Sequence, residues 1–298
     1  MQVVVTVNEN YVYPLKVMLY SLFSTQEEPV TVFLIHTGIS AASVEMLKNF
    51  SSSYGGELLE VKIEEDTFAQ APVMAHFSKE MYYRLLCPWL LSDVERVLYL
   101  DPDMIINDSL SSFFHMNLGG AALAAGRDRP AGMDNRARLK LNQNTVYVNS
   151  GVLLMDLEKM RERNKEELLL LLEEKKEELI YPDQDIINLF WEGSIKVVED
   201  CYNLNANILF LKERLCTPFR KKVKRYAKII HYAGKEKPWN NGYKKGMYAY
   251  WARAEWHVDP SKRFLLAGRC LLEPYRFVYG FYCLLKDHDW KKNRHGCR

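Results

Sequence analysis

The sequence predicts an α/β fold: a mostly parallel sheet with helices on both faces. Three observations predict it. β-Branched apolar runs recur through the first half of the chain. Segments of helical period separate them, and strands joined through helices pair in parallel and are covered on both sides. The chain has 298 residues, 48% apolar and 26% charged, enough for one large domain or two small ones and typical of a globular protein.

The elements follow in order. Val3 to Val7 is a run of buried-strand type. Pro14 is suited to a first helical residue, and Leu15, Met18, Leu19 and Leu22 then recur at helical spacing. Val30 to His36 predicts a second strand, and Ser40 a cap for a helix reaching about Phe50. Leu58 to Ile63 predicts a third strand. Ser78 predicts a cap for a helix carrying Met81, Tyr82 and Leu85, before a fourth strand over Val94 to Leu100. Ala121 to Gly126 and Val146 to Met155 are further strands. Residues 156–179 predict one helix capped by Asp156, with Leu168 to Leu172 in the core. Another helix covers Gln184 to Trp191, and Ile229 and Ile230 form an apolar step into His231. With no repeat or low-complexity linker, residues 1–250 are expected to form one domain and 251–298 a basic, aromatic appendix.

The net charge of +2 conceals an asymmetry. Residues 1–211 hold 18 basic and 31 acidic side chains; residues 212–298 hold 22 basic and 7 acidic. The basic third implies a polyanionic neighbour: a phosphorylated ligand, an anionic membrane or a nucleic acid. In the appendix, Trp251, Trp256, Phe264, Phe277 and Phe281 alternate with Arg253, Arg263, Arg276 and Lys286. The two expectations are binding to an anionic membrane surface without spanning it, or packing on the preceding domain. No apolar run spans a bilayer, and Met1 leads straight into a strand, so no secretory signal is expected. Six cysteines without CxxC spacing favour a reducing compartment and no thiolate zinc site.

The sharpest local pattern is Val97-Leu98-Tyr99-Leu100-Asp101-Pro102-Asp103, an apolar strand ending in two carboxylates. Strand period two would put Asp101 and Asp103 on one face. Like charges so close call for a cation, and carboxylate oxygens suit Mn²⁺ or Mg²⁺. A solvated turn is the plainer reading of the same residues. In His231-Tyr232-Ala233-Gly234-Lys235-Glu236-Lys237, the imidazole is a possible metal ligand. Gly234 permits close backbone approach to a phosphate, and Lys237 supplies charge for it. Asp183 is either a helix N-cap or, with Gln184, an acceptor of sugar hydroxyl hydrogen bonds. Asn149, before the apolar run Val152 to Met155, can bind a polyol or make a turn.

Six ordered segments resemble glycosyltransferase family 8, the lipopolysaccharide-type galactosyl- and glucosyltransferases related to glycogenin. They are Val5-Thr6-Val7-Asn8-Glu9-Asn10-Tyr11, Tyr83-Arg84-Leu85, Leu98 to Asp103, Asn149-Ser150-Gly151-Val152-Leu153-Leu154, Asp183-Gln184-Asp185, and His231-Tyr232 through Lys237-Pro238-Trp239. The resemblance covers about residues 3–240. It implies a GT-A fold, with a Rossmann-like nucleotide-binding half fused to an acceptor-binding half. It also implies retaining hexose transfer from a UDP-sugar to a glycan or glycolipid hydroxyl. The expected location is cytoplasmic, on the inner face of the cell membrane if the appendix binds it. Carried over residue by residue, Asp101, Asp103 and His231 would hold Mn²⁺. Thr6, Asn8, Asn10 and Tyr11 would hold the uridine, and Arg84 would lie over the donor. Asp128, Asn149, Asp183 and Gln184 would surround the sugar, and Gly234 and Lys237 would close on the diphosphate. The family commonly has Asp where this chain has Asn8. An amide oxygen accepts the same uracil bond, more weakly.

Retention needs front-face attack or a covalent nucleophile. Front-face attack is favoured because an amide such as Gln184 is a poor nucleophile; Gln184 or Asp185 as a transient nucleophile is the other route. Two rivals stand beside this reading. A phosphatase would use Asp101 as nucleophile and Asp103 as acid. A nucleic-acid binder would use the basic run Arg220-Lys221-Lys222-Val223-Lys224-Arg225, which no nucleic-acid motif accompanies.

Overall fold

A computed structural model describes residues 1–63, 79–128, 132–206, 226–240, 243 and 247–263. In chain order the elements are β1 (Gln2–Thr6), α1 (Val12–Thr25), β2 (Thr31–His36), α2 (Ala41–Ser53), β3 (Glu57–Lys62), α3 (Tyr83–Leu90), β4 (Arg96–Leu100), β5 (Met104–Ile106) and α4 (Ser111–Phe114). There follow β6 (Leu123–Arg127), α5 (Gly132–Arg138), β7 (Val148–Asp156), α6 (Leu157–Met160), α7 (Lys165–Lys175), α8 (Pro182–Phe190), β8 (Ile195–Val198), β9 (Leu204–Asn205), β10 (Ile229–His231) and, among the described residues, a last α-helix, α9 (Tyr248–Val258).

Seven strands form the main sheet in the order β3-β2-β1-β4-β7-β6-β8. The expected parallel arrangement holds except at β7, which runs antiparallel to both of its neighbours. β1 is central, and its residues partition by period two. Val3 and Val5 join a core with Leu15, Met18 and Leu22 of α1 and Leu47 of α2. Val4 faces the other way, toward Leu85 of α3, Leu168 of α7 and Ile186 of α8. A continuous β-branched run fits because both faces of this strand are buried. The topology also sets the site: the carboxyl ends of β1, β4 and β6 and the amino end of reversed β7 share one edge, and Asp101 N–H donates to Gly151 O at 2.9 Å across it.

A small second sheet, β5-β10-β9, lies against α1. β10 pairs antiparallel with β5, with His231 opposite Met104, and parallel with β9, with His231 opposite Asn205.

Three helix expectations differ from the structure. Residues 156–179 are not one helix. Asp156 caps the single turn α6 through Lys159 N–H at 3.0 Å, and Asn164 restarts the chain as α7 by accepting from Glu166 N–H at 2.9 Å. Between them Arg161 donates to Pro88 O at 3.0 Å, so the break fastens to the end of α3. Pro14 lies two residues inside α1, which begins at Val12. Asp183 is not an N-cap: α8 begins at Pro182, and the carboxylate of Asp185 accepts from Ile180 and Tyr181 N–H at 2.9 and 3.1 Å.

The expected boundary at residue 250 runs through α9. Trp251 is fully buried, edge-on to Tyr232 at 5.9 Å, and Glu255 accepts from the Tyr13 hydroxyl at 2.8 Å. Trp251 is therefore in the core and not on a membrane face. Among the described residues no helix is long and apolar enough to cross a membrane. Ser78, the basic run 220–225 and the appendix from Phe264 lie outside the described residues.

Candidate active site

Asp101 and Asp103 converge for a reason other than strand pleat. β4 ends at Leu100, and residues 101–103 form the link into β5. Pairing of β5 with β10 then carries His231 to them, and Tyr232 N–H donates to Asp103 O at 2.9 Å. His231 Nε2 stands 3.3 Å from Asp103 Oδ1 and 3.8 Å from Asp101 Oδ2. One donor atom from each of the three side chains lies within 4.8 Å of the others.

The group fits a divalent cation. Asp103 Oδ1 is buried and accepts no hydrogen bond. Such an atom is costly unless something positive meets it. Space is reserved beside it: a Cβ on Gly151 would stand 2.4 Å from His231 Cε1 and 2.7 Å from Asp101 Oδ2, so only glycine leaves this corner open. Two hard carboxylates and one imidazole are a donor set for Mn²⁺ or Mg²⁺. Lys237 ion-pairs with Asp103 Oδ2 and donates to Tyr232 O at 3.1 Å. Burial pushes the Asp103 carboxyl up, but Lys237 foremost, with His231 beside it, outweighs burial and holds the group well below the usual carboxylate range. Burial likewise lowers the Lys237 ammonium, and Asp103 more than restores it.

Arg84 lies beneath this group. It is buried, with Nη2 2.9 Å from Asp101 Oδ1, Nε 3.1 Å from Asp183 Oδ2, and Nη1 donating to Ser150 O at 2.8 Å. Its guanidinium also covers the Tyr99 ring at 4.4 Å. Arg84, expected over the donor, joins the two carboxylates Asp101 and Asp183. Burial raises the Asp183 carboxyl against the opposing pull of Arg84.

Of the side chains expected at the sugar, Gln184, Asp128 and Asn149 are joined to one another. Gln184 Nε2 donates to Asp128 Oδ2 at 2.8 Å and to the Tyr147 hydroxyl at 3.1 Å. Gln184 Oε1 accepts from Asn149 Nδ2 at 2.8 Å and Ser150 N–H at 3.1 Å. Asp185 is fully buried. It accepts from the Tyr147 hydroxyl at 2.6 Å and from Arg138 at 2.8 Å as well as the two backbone groups above.

Of the residues expected at the uridine, Thr6 is buried. Because the Tyr99 hydroxyl donates to Asp101 Oδ1 at 2.9 Å, it accepts from Thr6 at 2.9 Å. Asn8 caps a short 3₁₀ turn through Asn10 N–H at 3.1 Å, using one of its two acceptor positions. Asn10 is exposed, and Tyr11 meets Trp239 edge-on at 5.7 Å, bringing the 8–11 and 237–239 loops together. Gly234 has φ of 96°, a conformation that favours glycine, and is exposed on the loop between His231 and Lys237. Tyr99, Tyr147 and Asn203 complete the site without having been expected there. Asn203 Oδ1 stands 2.9 Å from His231 Nδ1.

Residues 2–242 match the profile described as glycosyl transferase family 8. General stress protein A of Bacillus subtilis is 24% identical over 274 residues, covering 87% of this chain and 95% of that protein. The lipopolysaccharide 1,2-glucosyltransferase of Escherichia coli K12 is 31% identical over 185 residues, 60% of this chain and 54% of that protein. Among solved structures, the galactosyltransferase LgtC in complex with donor and acceptor sugar analogues aligns with a TM-score of 0.74 at 24% identity, over 86% of this chain and 96% of that one. The structural likeness is one of fold.

Proposed function

The chain belongs to glycosyl transferase family 8 and is a glycosyltransferase of GT-A fold; from that premise we propose that it moves galactose or glucose from a UDP-sugar, with retention, to a hydroxyl of a glycan or glycolipid. The observation that carries this reading is the meeting of Asp101, Asp103 and His231 with Lys237 at the common edge of β1, β4, β6 and β7. Ligands of parallel α/β sheets bind beyond the carboxyl ends of the strands. The phosphatase alternative falls with the family assignment.

Asp101, Asp103 and His231 would hold Mn²⁺, or Mg²⁺ in its place, and the bound ion supplies positive charge to a leaving diphosphate. The chain's own residues do the rest. Lys237 exchanges Asp103 for a phosphate oxygen and stabilises negative charge where it develops. Gly234 lets the 233–236 backbone approach the same group. Arg84 keeps Asp101 and Asp183 in place. Asn8, Asn10 and Tyr11 line the uridine end, with Thr6 acting through Tyr99. Gln184, its amide fully engaged by Asp128, Tyr147, Asn149 and Ser150, fixes those groups around the sugar. With Asp185 buried and Gln184 a poor nucleophile, the acceptor hydroxyl attacks from the front face and its proton passes to the departing phosphate oxygen.

A panel of UDP-sugars tests the donor, and proton NMR of the first product tests the stereochemistry. The expected outcome is UDP and an α-glycoside from UDP-glucose or UDP-galactose. A large axial–axial coupling at the new anomeric centre would refute retention, and release of inorganic phosphate would refute transfer. We further place the enzyme on the cytoplasmic face of the cell membrane, held by the basic, aromatic stretch 264–298.

A further inference from the structure

The hydrogen-bond pattern behind His231 has one consistent direction. Gly151 N–H can only donate, and it reaches Asn149 Oδ1 at 3.0 Å. That identifies the oxygen of Asn149, so the Asn203 atom 2.8 Å from it is the amide Nδ2. The other end of Asn203, Oδ1, therefore faces His231 Nδ1 at 2.9 Å. A carbonyl oxygen only accepts, so Nδ1 carries a proton. In the neutral ring Nε2 then keeps its lone pair, and it is Nε2 that faces Asp103 Oδ1 at 3.3 Å and Asp101 Oδ2 at 3.8 Å.

We propose that Asn203 is a positioning residue for the metal group: its carbonyl oxygen selects the Nδ1–H form of His231 and so turns Nε2 into an electron-pair donor. The proposal rests on the metal reading above. The two carboxylates by themselves favour the opposite form, in which an Nε2 proton is donated to Asp103 and the ligand position is blocked. An acceptor on the far side of the ring reverses that preference, as outer partners of metal-binding histidines do elsewhere. Asn203 is placed for it by the fold. Its N–H donates to Asp200 O at 3.1 Å, and it stands just before β9, which pairs with the strand that bears His231. Through Asn149 the same amide reaches Gln184, so the metal end and the sugar end share one chain of fixed carboxamides.

The test is Mn²⁺ titration of the full-length, metal-free protein by calorimetry, with ¹⁵N NMR of the His231 ring assigned by comparison with His231→Ala. The wild type should take up Mn²⁺ and, with diamagnetic Mg²⁺ bound in its place, show a protonated Nδ1. Asn203→Ala should bind Mn²⁺ about 10- to 100-fold more weakly. Asn203→Asp, which keeps an oxygen toward Nδ1 but loses the donor to Asn149, should stay within about threefold of wild-type affinity and lose kcat instead. Wild-type binding together with equal binding by Asn203→Ala overturns this proposal alone, as does an unprotonated Nδ1 in the Mg²⁺-loaded wild type, which needs no variant. A wild-type chain that binds no Mn²⁺ overturns the metal reading and this proposal with it.

Discussion

Arg84 ties two of the site's carboxylates together. It is the counter-charge shared by Asp101 and Asp183, and it is buried. Arg84→Met keeps the stem and removes the charge, leaving two carboxylates without the counter-charge they share. The expected cost is about 3–5 kcal/mol of stability in urea unfolding, since breaking a buried pair is far worse than never having made it. Stability within about 1 kcal/mol of wild type would contradict that, being in the range of an exposed pair. Asp101, Asp103 and His231 were legible in the sequence because their chemistry declares itself: two carboxylates after an apolar strand, and an imidazole before Gly234 and Lys237. Asn203, Tyr99 and Tyr147 were not. Each is one unremarkable polar or aromatic residue, and its role exists only through a partner brought near by folding, as with Asn203 and His231, 28 positions apart. Arg84 was found, but its burial was not, because spacing says nothing about which side of a site a side chain enters from.

At the scale of elements, long signals survived and short ones did not. β1 was plain because three consecutive valines are buried on alternating faces. β5, β9 and β10 have three, two and three residues, too few to show a period, yet their pairing places His231. The single helix expected over 156–179 split because Asp156 and Asn164 each cap a separate start; a run rich in Glu, Lys and Leu masks such a break. The antiparallel course of β7 had no sequence signal, and it is what brings Asn149 and Gly151 to the active edge. The small sheet's role is measurable. Ile230 is fully buried between β5 and β9. Ile230→Ala should destabilise the protein by about 2–5 kcal/mol, as other core truncations do, and should weaken Mn²⁺ binding because the imidazole rides on the same strand. Unchanged Mn²⁺ affinity in a destabilised variant would show that the strand does not position His231.

Across the whole molecule, the charge asymmetry separates an acidic catalytic body from a basic end. α9 and Trp251 belong to the core, so a boundary at residue 250 would cut a packed helix, and we propose that the basic end begins after it. Deleting residues 264–298 therefore leaves α9 in place. The shortened protein should fail to sediment with anionic vesicles at low salt while still hydrolysing the donor, and the full-length chain should sediment. Full-length protein that stays in the supernatant would end the membrane proposal without touching the catalytic one. The catalytic account itself meets its most direct test in UDP release from UDP-glucose and UDP-galactose by the full-length wild type and by Asp103→Asn. The account predicts release by the wild type with Mn²⁺, its loss in excess EDTA and return with added Mn²⁺. It also predicts a fall of about 100-fold or more in Asp103→Asn, with the circular dichroism of the fold preserved. Undiminished release in EDTA, or a fully active Asp103→Asn, would contradict it.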